Sequence, residues 1–239
     1  MRLVLALLAT AIAANAATNF SAPTQTNGTT YNALDITGFS TTGADMAGMQ
    51  ITGLFLNGSS IICTWAAVGP GQPNAGGCTA SNGTVGFQLA LDGDTFFNSF
   101  NLTNIVGSSL LSLTFDGPSG FTTFDRTFGA AVGTSGSSFG ADASGSTSSN
   151  TIGAAVLYTN QLATLGNAPV GDEFATVVIT FTGNGLPAGF TATWTMDTDN
   201  IGLRGGAPGS GIPEPATFGL LGASLAGLAL LVRRKRRSV

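Results

Sequence analysis

Through the middle of the chain, apolar residues recur at every second position. In residues 50–56, Ile51, Gly53 and Phe55 fall on one side, with Leu54 and Leu56 on the other. A period of two is that of a β-strand with one buried face. Asn57-Gly58 follows, a pair suited to a tight hairpin turn. Residues 60–66 return with Ile61, Cys63 and Trp65 on one face. The same alternation runs through Val85, Phe87, Leu89 and Leu91, through Leu111, Leu113 and Phe115, and through residues 190–196. Asn82-Gly83, Asp92-Gly93 and Asn184-Gly185 punctuate it as turns. Residues 173–182 are apolar enough to predict a central strand packed on both faces. Shorter strands are expected at 31–36 (a first edge strand), at 95–102 and at 153–158, with a further short strand and loop lined by Phe121, Phe124 and Phe128. Residues 69–77, rich in Pro and Gly, read as a loop, and so do residues 129–150, which are poor in large apolar side chains. No part of this body sustains the 3.6-residue period of an amphipathic helix. The pattern predicts an all-β body, an antiparallel β-sandwich with jelly-roll-like character.

Both ends break the alternation. Met1-Arg2 precedes an apolar run from Leu3 to Ala14, and Ala14-Asn15-Ala16 has the small-x-small form of a signal-peptidase site. Residues 1–16 are therefore expected to be a cleaved signal peptide, with an exported domain from 17 to 207. A linker over 208–215 ends in Pro213, Glu214 and Pro215. Residues 218–232 then carry no charge, and as a helix they extend roughly 22 Å at about 1.5 Å per residue. Adding Ala216 and Thr217, with snorkelling of the arginine stems, gives a transmembrane helix over 216–232. Arg233, Arg234, Lys235, Arg236 and Arg237 follow without a break, a stop-transfer cluster that holds residues 233–239 in the cytoplasm.

Pro213-Glu214-Pro215, the apolar run and the basic cluster, in this order, resemble the PEP-CTERM sorting signal of exopolysaccharide-producing Gram-negative bacteria. The resemblance implies an exosortase-type membrane enzyme as processing partner, tethering in the inner membrane beforehand, and delivery to the cell surface or extracellular matrix. It covers the tail alone and implies no activity for the body.

Removing both ends changes the charge. The whole chain has a net charge of -4, but Arg126 and Arg204 are the only basic residues left in the body, against eleven carboxylates, which makes the body near -9. Such a surface repels phosphate backbones and excludes nucleic acid as a partner. The chain has no His and the body no Lys. Triads and dyads that use His or Lys as base are therefore excluded, and the body is expected not to be an enzyme. A glycosidase-like carboxylate pair would have to come from Asp92, Asp94, Asp116, Asp125, Asp197 or Asp199, nearly all of them next to turns. Cys63 and Cys78 are the only cysteines. In an exported chain they predict a disulfide, and zinc is disfavoured without histidine. Asp197, Asp199 and Asn200 offer clustered oxygens, as do Asp92 and Asp94, and the first group is the candidate calcium site. No other cofactor is expected. Trp65 and Trp194 sit in strand patterns that favour the core. If they were exposed, the body would instead suit a carbohydrate- or ice-binding module, with exopolysaccharide as the natural partner.

Overall fold

The computed structural model describes residues 19–26, 28, 31–38, 40–126, 140–163 and 169–203. The signal peptide, Pro213–Pro215, the apolar segment 216–232 and the basic cluster Arg233–Arg237 lie outside the described residues. Among the described residues, no helix is long and apolar enough to cross a membrane.

The regular structure of the described chain is almost entirely strand. In order the strands are β1 (Thr24–Gln25), β2 (Tyr31–Gly38), β3 (Gln50–Phe55), β4 (Ser60–Thr64), β5 (Ala66–Ala67), β6 (Ala75–Ser81), β7 (Val85–Asp92) and β8 (Phe100–Gly107). Then come β9 (Leu110–Asp116), β10 (Thr122–Asp125), β11 (Ser144–Thr147), β12 (Ala154–Ala163), β13 (Pro169–Phe181), β14 (Thr191–Thr195) and β15 (Thr198–Leu203). A single 3-10 turn, Gly117–Gly120, joins β9 to β10. Two sheets form. One has the order β1-β12-β2-β15-β10-β13-β9-β3-β4, the other β11-β14-β8-β7-β6-β5.

One core fills the space between them. Ile51, Phe55, Leu113, Phe115 and Ile179 come from the nine-stranded sheet; Val85, Phe87, Leu89, Phe100, Leu102 and Trp194 come from the six-stranded one. The hairpin β3–β4 closes as its alternation predicts: Ile51, Gly53 and Phe55 are buried while Leu54, Leu56 and Ile62 face solvent. Gly58 takes a positive φ of 81° in its turn, where glycine is favoured. Trp65 and Trp194 are each 1 % exposed, so the aromatic platform needed for a tryptophan-based carbohydrate site is absent. Trp65 donates its indole N–H to Gly43 O at 2.6 Å.

Several elements differ from the sequence expectation. Most strand pairings are antiparallel, but β12 runs parallel to both β1 and β2. β2 is not an edge strand, because β15 flanks it on its other side. Residues 95–99 form a turn rather than the start of a strand, and β8 begins at Phe100. Within the expected loop 69–77, Ala75–Gly77 already belong to β6. Of the expected loop 129–150, residues 144–147 form β11, held by backbone pairing with β14 and not by apolar side chains. Its Thr147 N–H and hydroxyl are bonded to the Asn19 side-chain amide.

Two features bear on function. The pairings β12–β2, β2–β15, β15–β10, β10–β13 and β13–β12 close a ring of five strands at one side of the larger sheet. In addition, Cys63 on β4 and Cys78 on β6 form the expected disulfide, and these strands belong to different sheets. The bond is therefore an inter-sheet staple as well as a loop closure. Replacing both cysteines by alanine should cost about 2–4 kcal/mol. Chemical denaturation of the oxidised protein against the double variant checks this, and equal midpoints would mean that the core alone holds the sheets.

Candidate metal centre

The five-stranded ring gathers acidic residues. Asp125 ends β10 and pairs across to Glu173 on β13, while Thr123, two residues before it, pairs with Asp199 on β15. Asp197 immediately precedes β15, and its carbonyl accepts the Asp125 N–H at 3.2 Å. Alternation along the strands places Asp125, Glu173 and Asp199 on one face. The opposite face, carrying Phe124, Phe174 and Thr198, packs into the core, and every residue of β10 is buried on both sides. Asp125 and Asp199 are 0 % exposed, Glu173 1 %, Asp197 4 % and the adjacent Asp172 5 %. Ligand oxygens of Asp125, Asp197 and Asp199 all lie within 4.8 Å of one another.

Few donors reach these carboxylates. Asp197 Oδ1 accepts the Thr198 N–H at 2.9 Å and the Thr95 hydroxyl at 3.3 Å. No donor from outside the cluster reaches the buried carboxylate oxygens of Glu173 or Asp199; the two carboxyls face each other, so that a protonated Glu173 donates to Asp199. Arg126 is the only basic residue among the described residues, and it is committed elsewhere. Its Nε and Nη2 grip Asp142 at 2.7 and 2.9 Å, its Nη1 donates to Gln25 Oε1, and its guanidinium lies 5.0 Å over the Tyr158 ring. Burial and mutual repulsion therefore govern the acids. Burial first, then the charges of Asp199 and Asp125, pushes Asp197 up to about 8. Burial also lifts Asp199, to about 6. Glu173 is raised well above its ordinary value by burial and by the neighbouring Asp125 and Asp199 charges. A cluster of this kind is stable only when protons or a cation offset its charge.

At Gly140 the chain closes on the cluster with bare backbone: a Cβ there would stand 2.5 Å from Asp125 Oδ1. Of the residues expected to bind calcium, Asp197 and Asp199 are in the cluster. Asn200 is the next residue of β15 and pairs with Thr122, so alternation turns it to the other face from Asp199. Asp92 is exposed, and Asp94 accepts the Ser40 hydroxyl and the Phe96 N–H in a turn. Sequence reasoning placed Asp125 only among hydrolase candidates and missed Glu173 and Asp172. The signal available was an Asp-Glu pair leading straight into the most apolar strand of the chain.

Outside this site, the family model of the PEP-CTERM protein-sorting motif matches residues 211–237, the span that holds Pro213–Pro215 and Arg233–Arg237. The chain carries a PEP-CTERM sorting motif. Such a motif marks an exported protein directed to an exosortase on its way to the surface. No curated protein and no solved structure matches the chain.

The raised acids set a pH dependence for the PEP-CTERM protein held in a chelator. Between the ordinary carboxylate range near 4 and the folded-state values, the native protein keeps protons that the unfolded chain has released. Stability is therefore full below about pH 4 and falls as pH rises through about 6 and about 8. The groups facing one another are Asp125 of β10, Asp172 and Glu173 of β13, and Asp197 and Asp199 of β15, with Tyr158 and the Arg126–Asp142 pair beside them. Melting temperatures in EDTA should be lower at pH 8.5 than at pH 5, and equal melting temperatures at the two would show that these acids are ionised in the native state at both.

Proposed function

We infer that this is a non-enzymatic protein of the cell surface or exopolysaccharide matrix. In this reading, residues 1–16 are removed on export, residues 216–232 tether the chain in the inner membrane, and Arg233–Arg237 stay in the cytoplasm. An exosortase-type enzyme then cuts in the tail and releases the body. The observation that carries this reading is the sorting motif at residues 211–237. The composition of the body supports its non-enzymatic side, with neither His nor Lys for acid–base work. The acids that do come together are buried to 5 % exposure or less, away from any substrate.

Intact mass and fractionation of the native protein, with and without the processing enzyme, test this. A species from Ala17 to near Pro215 outside the cell is the expected result. A species that retains Arg233–Arg237 in the inner membrane of enzyme-bearing cells would make the tail a permanent anchor.

A second reading is supported by the outer face of the six-stranded sheet. Thr191, Thr103, Gln88 and Thr79 stand in register across four strands. Ser146, Thr193, Asn101 and Ala90 form the next row. Rows about 7 Å apart on strands about 4.8 Å apart make a flat array of hydroxyls and amides without a charge. At its edge lies a groove of about 430 Å³ lined by Thr64, Gly77, Cys78, Gln88 and Ala90, among others. Such a face suits a neutral polysaccharide held by hydroxyl and amide contacts, since neither tryptophan is available for ring stacking. In affinity electrophoresis through exopolysaccharide, the protein should be retarded, and Thr193→Lys with Asn101→Lys should release it. Equal mobility with and without the polymer would remove this second reading.

A further inference from the structure

The acid cluster holds more charge than its surroundings can offset. Asp125, Asp197 and Asp199 present ligand oxygens within 4.8 Å of one another. Two oxygens bound to one calcium at about 2.4 Å are at most about 4.8 Å apart, a limit that all three meet. A separate side chain points the same way. Glu173 belongs to another strand, is 1 % exposed, pairs across to Asp125 and faces Asp199, and no donor from outside the cluster reaches either of its buried carboxylate oxygens. An ionised carboxylate left in that condition is costly, and a buried charge persists only when paired or bound to a metal. No basic side chain fills the role among the described residues, because Arg126 is held by Asp142 and Gln25. The bare backbone at Gly140 lets the chain approach Asp125 where any side chain would intrude.

We propose that Asp125, Glu173, Asp197 and Asp199 form a structural calcium site that closes the five-stranded ring. The donor set is oxygen alone, which suits a hard cation. With no His in the chain and both cysteines in the disulfide, nothing in it suits zinc. Calcium is favoured over magnesium because magnesium keeps much of its water shell, whereas these carboxylates are dry and come from three separate strand regions. The ion would link the end of β10, the start of β13 and the approach to β15. These ties are otherwise backbone hydrogen bonds such as Asp125 N–H to Asp197 O and Arg126 N–H to Asp172 O. The site is independent of the sorting signal and of the polysaccharide reading.

The test uses the full-length chain in detergent, stripped with EDTA, dialysed, and titrated with CaCl2 by calorimetry, with MgCl2 as comparator. Metal content is read by elemental mass spectrometry after gel filtration, and melting is followed by circular dichroism. About one calcium per chain is expected, with melting raised by calcium more than by magnesium. Glu173→Gln combined with Asp199→Asn should weaken calcium binding by more than about tenfold. In EDTA the same variant should melt at or above the wild type, because neutral amides remove repulsion; a turn control outside the cluster, Asp94→Asn, should bind as wild type. The proposal is overturned if the folded wild type binds no calcium up to about 10 mM, beyond the weakest range of extracellular calcium modules. It is equally overturned if the double variant keeps wild-type affinity. Should that variant fail to fold, the wild-type titration alone decides.

Discussion

Aromatic packing between the two sheets sets the rest of the structure in place. Trp194 of β14 lies flat on Phe100 of β8, with centroids 5.6 Å apart and planes 6° apart, and meets Phe115 of β9 edge-on at 6.1 Å. Phe115 in turn meets Phe124 of β10 at 6.2 Å. A continuous chain of rings therefore crosses from the smaller sheet into the larger one and ends on the strand that carries Asp125. Rings in these offset and edge-on arrangements add about 0.5–1.5 kcal/mol each beyond the area they bury. Phe124 cannot leave the core without taking β10, and the acids beside it, along.

This anchoring explains how a cluster of carboxylates can exist in so dry a place. The core face of β10 and of the start of β13 is fixed by Phe124 and Phe174, so the opposite face is committed to wherever the ring of strands closes. Asp125, Glu173 and Asp199 are carried there by alternation. Core packing is strong enough to impose the burial, and the electrostatic cost falls on the ring. Arg126 flanks the cluster without neutralising it, because Asp142 and Gln25 hold its guanidinium at hydrogen-bond distance.

The two ends of the molecule obey different physics from its body. A sorting signal is read as a linear string, so its triplet, apolar run and cations are recognisable without any tertiary structure. The body has no such string. Its polar outer face exists only once β14, β8, β7 and β6 lie side by side. The disulfide shows the same contrast: the pair Cys63–Cys78 follows from there being two cysteines in an exported chain, whereas its position across two sheets does not.

By itself the sequence determined the all-β class, the hairpin of β3 and β4, the alternation that buries Ile51, Phe55, Phe87 and Trp194, the disulfide partners and the PEP-CTERM tail. Each rests on local information: a period of two, an Asn-Gly turn, a cysteine count, or an ordered motif. Tertiary structure alone decided that β2 is interior, that β11 forms from a stretch almost without large side chains, and that β12 pairs in parallel with β1 and β2. These depend on backbone pairing between residues far apart in the chain, which leaves no periodic mark on side-chain chemistry. The candidate centre divides along the same line. Asp197 and Asp199 stood out as neighbours in sequence, but Asp125 and Glu173 lie 72 and 24 residues before Asp197 by number. Only the register of β10 against β13 and β15 brings them to the same buried face.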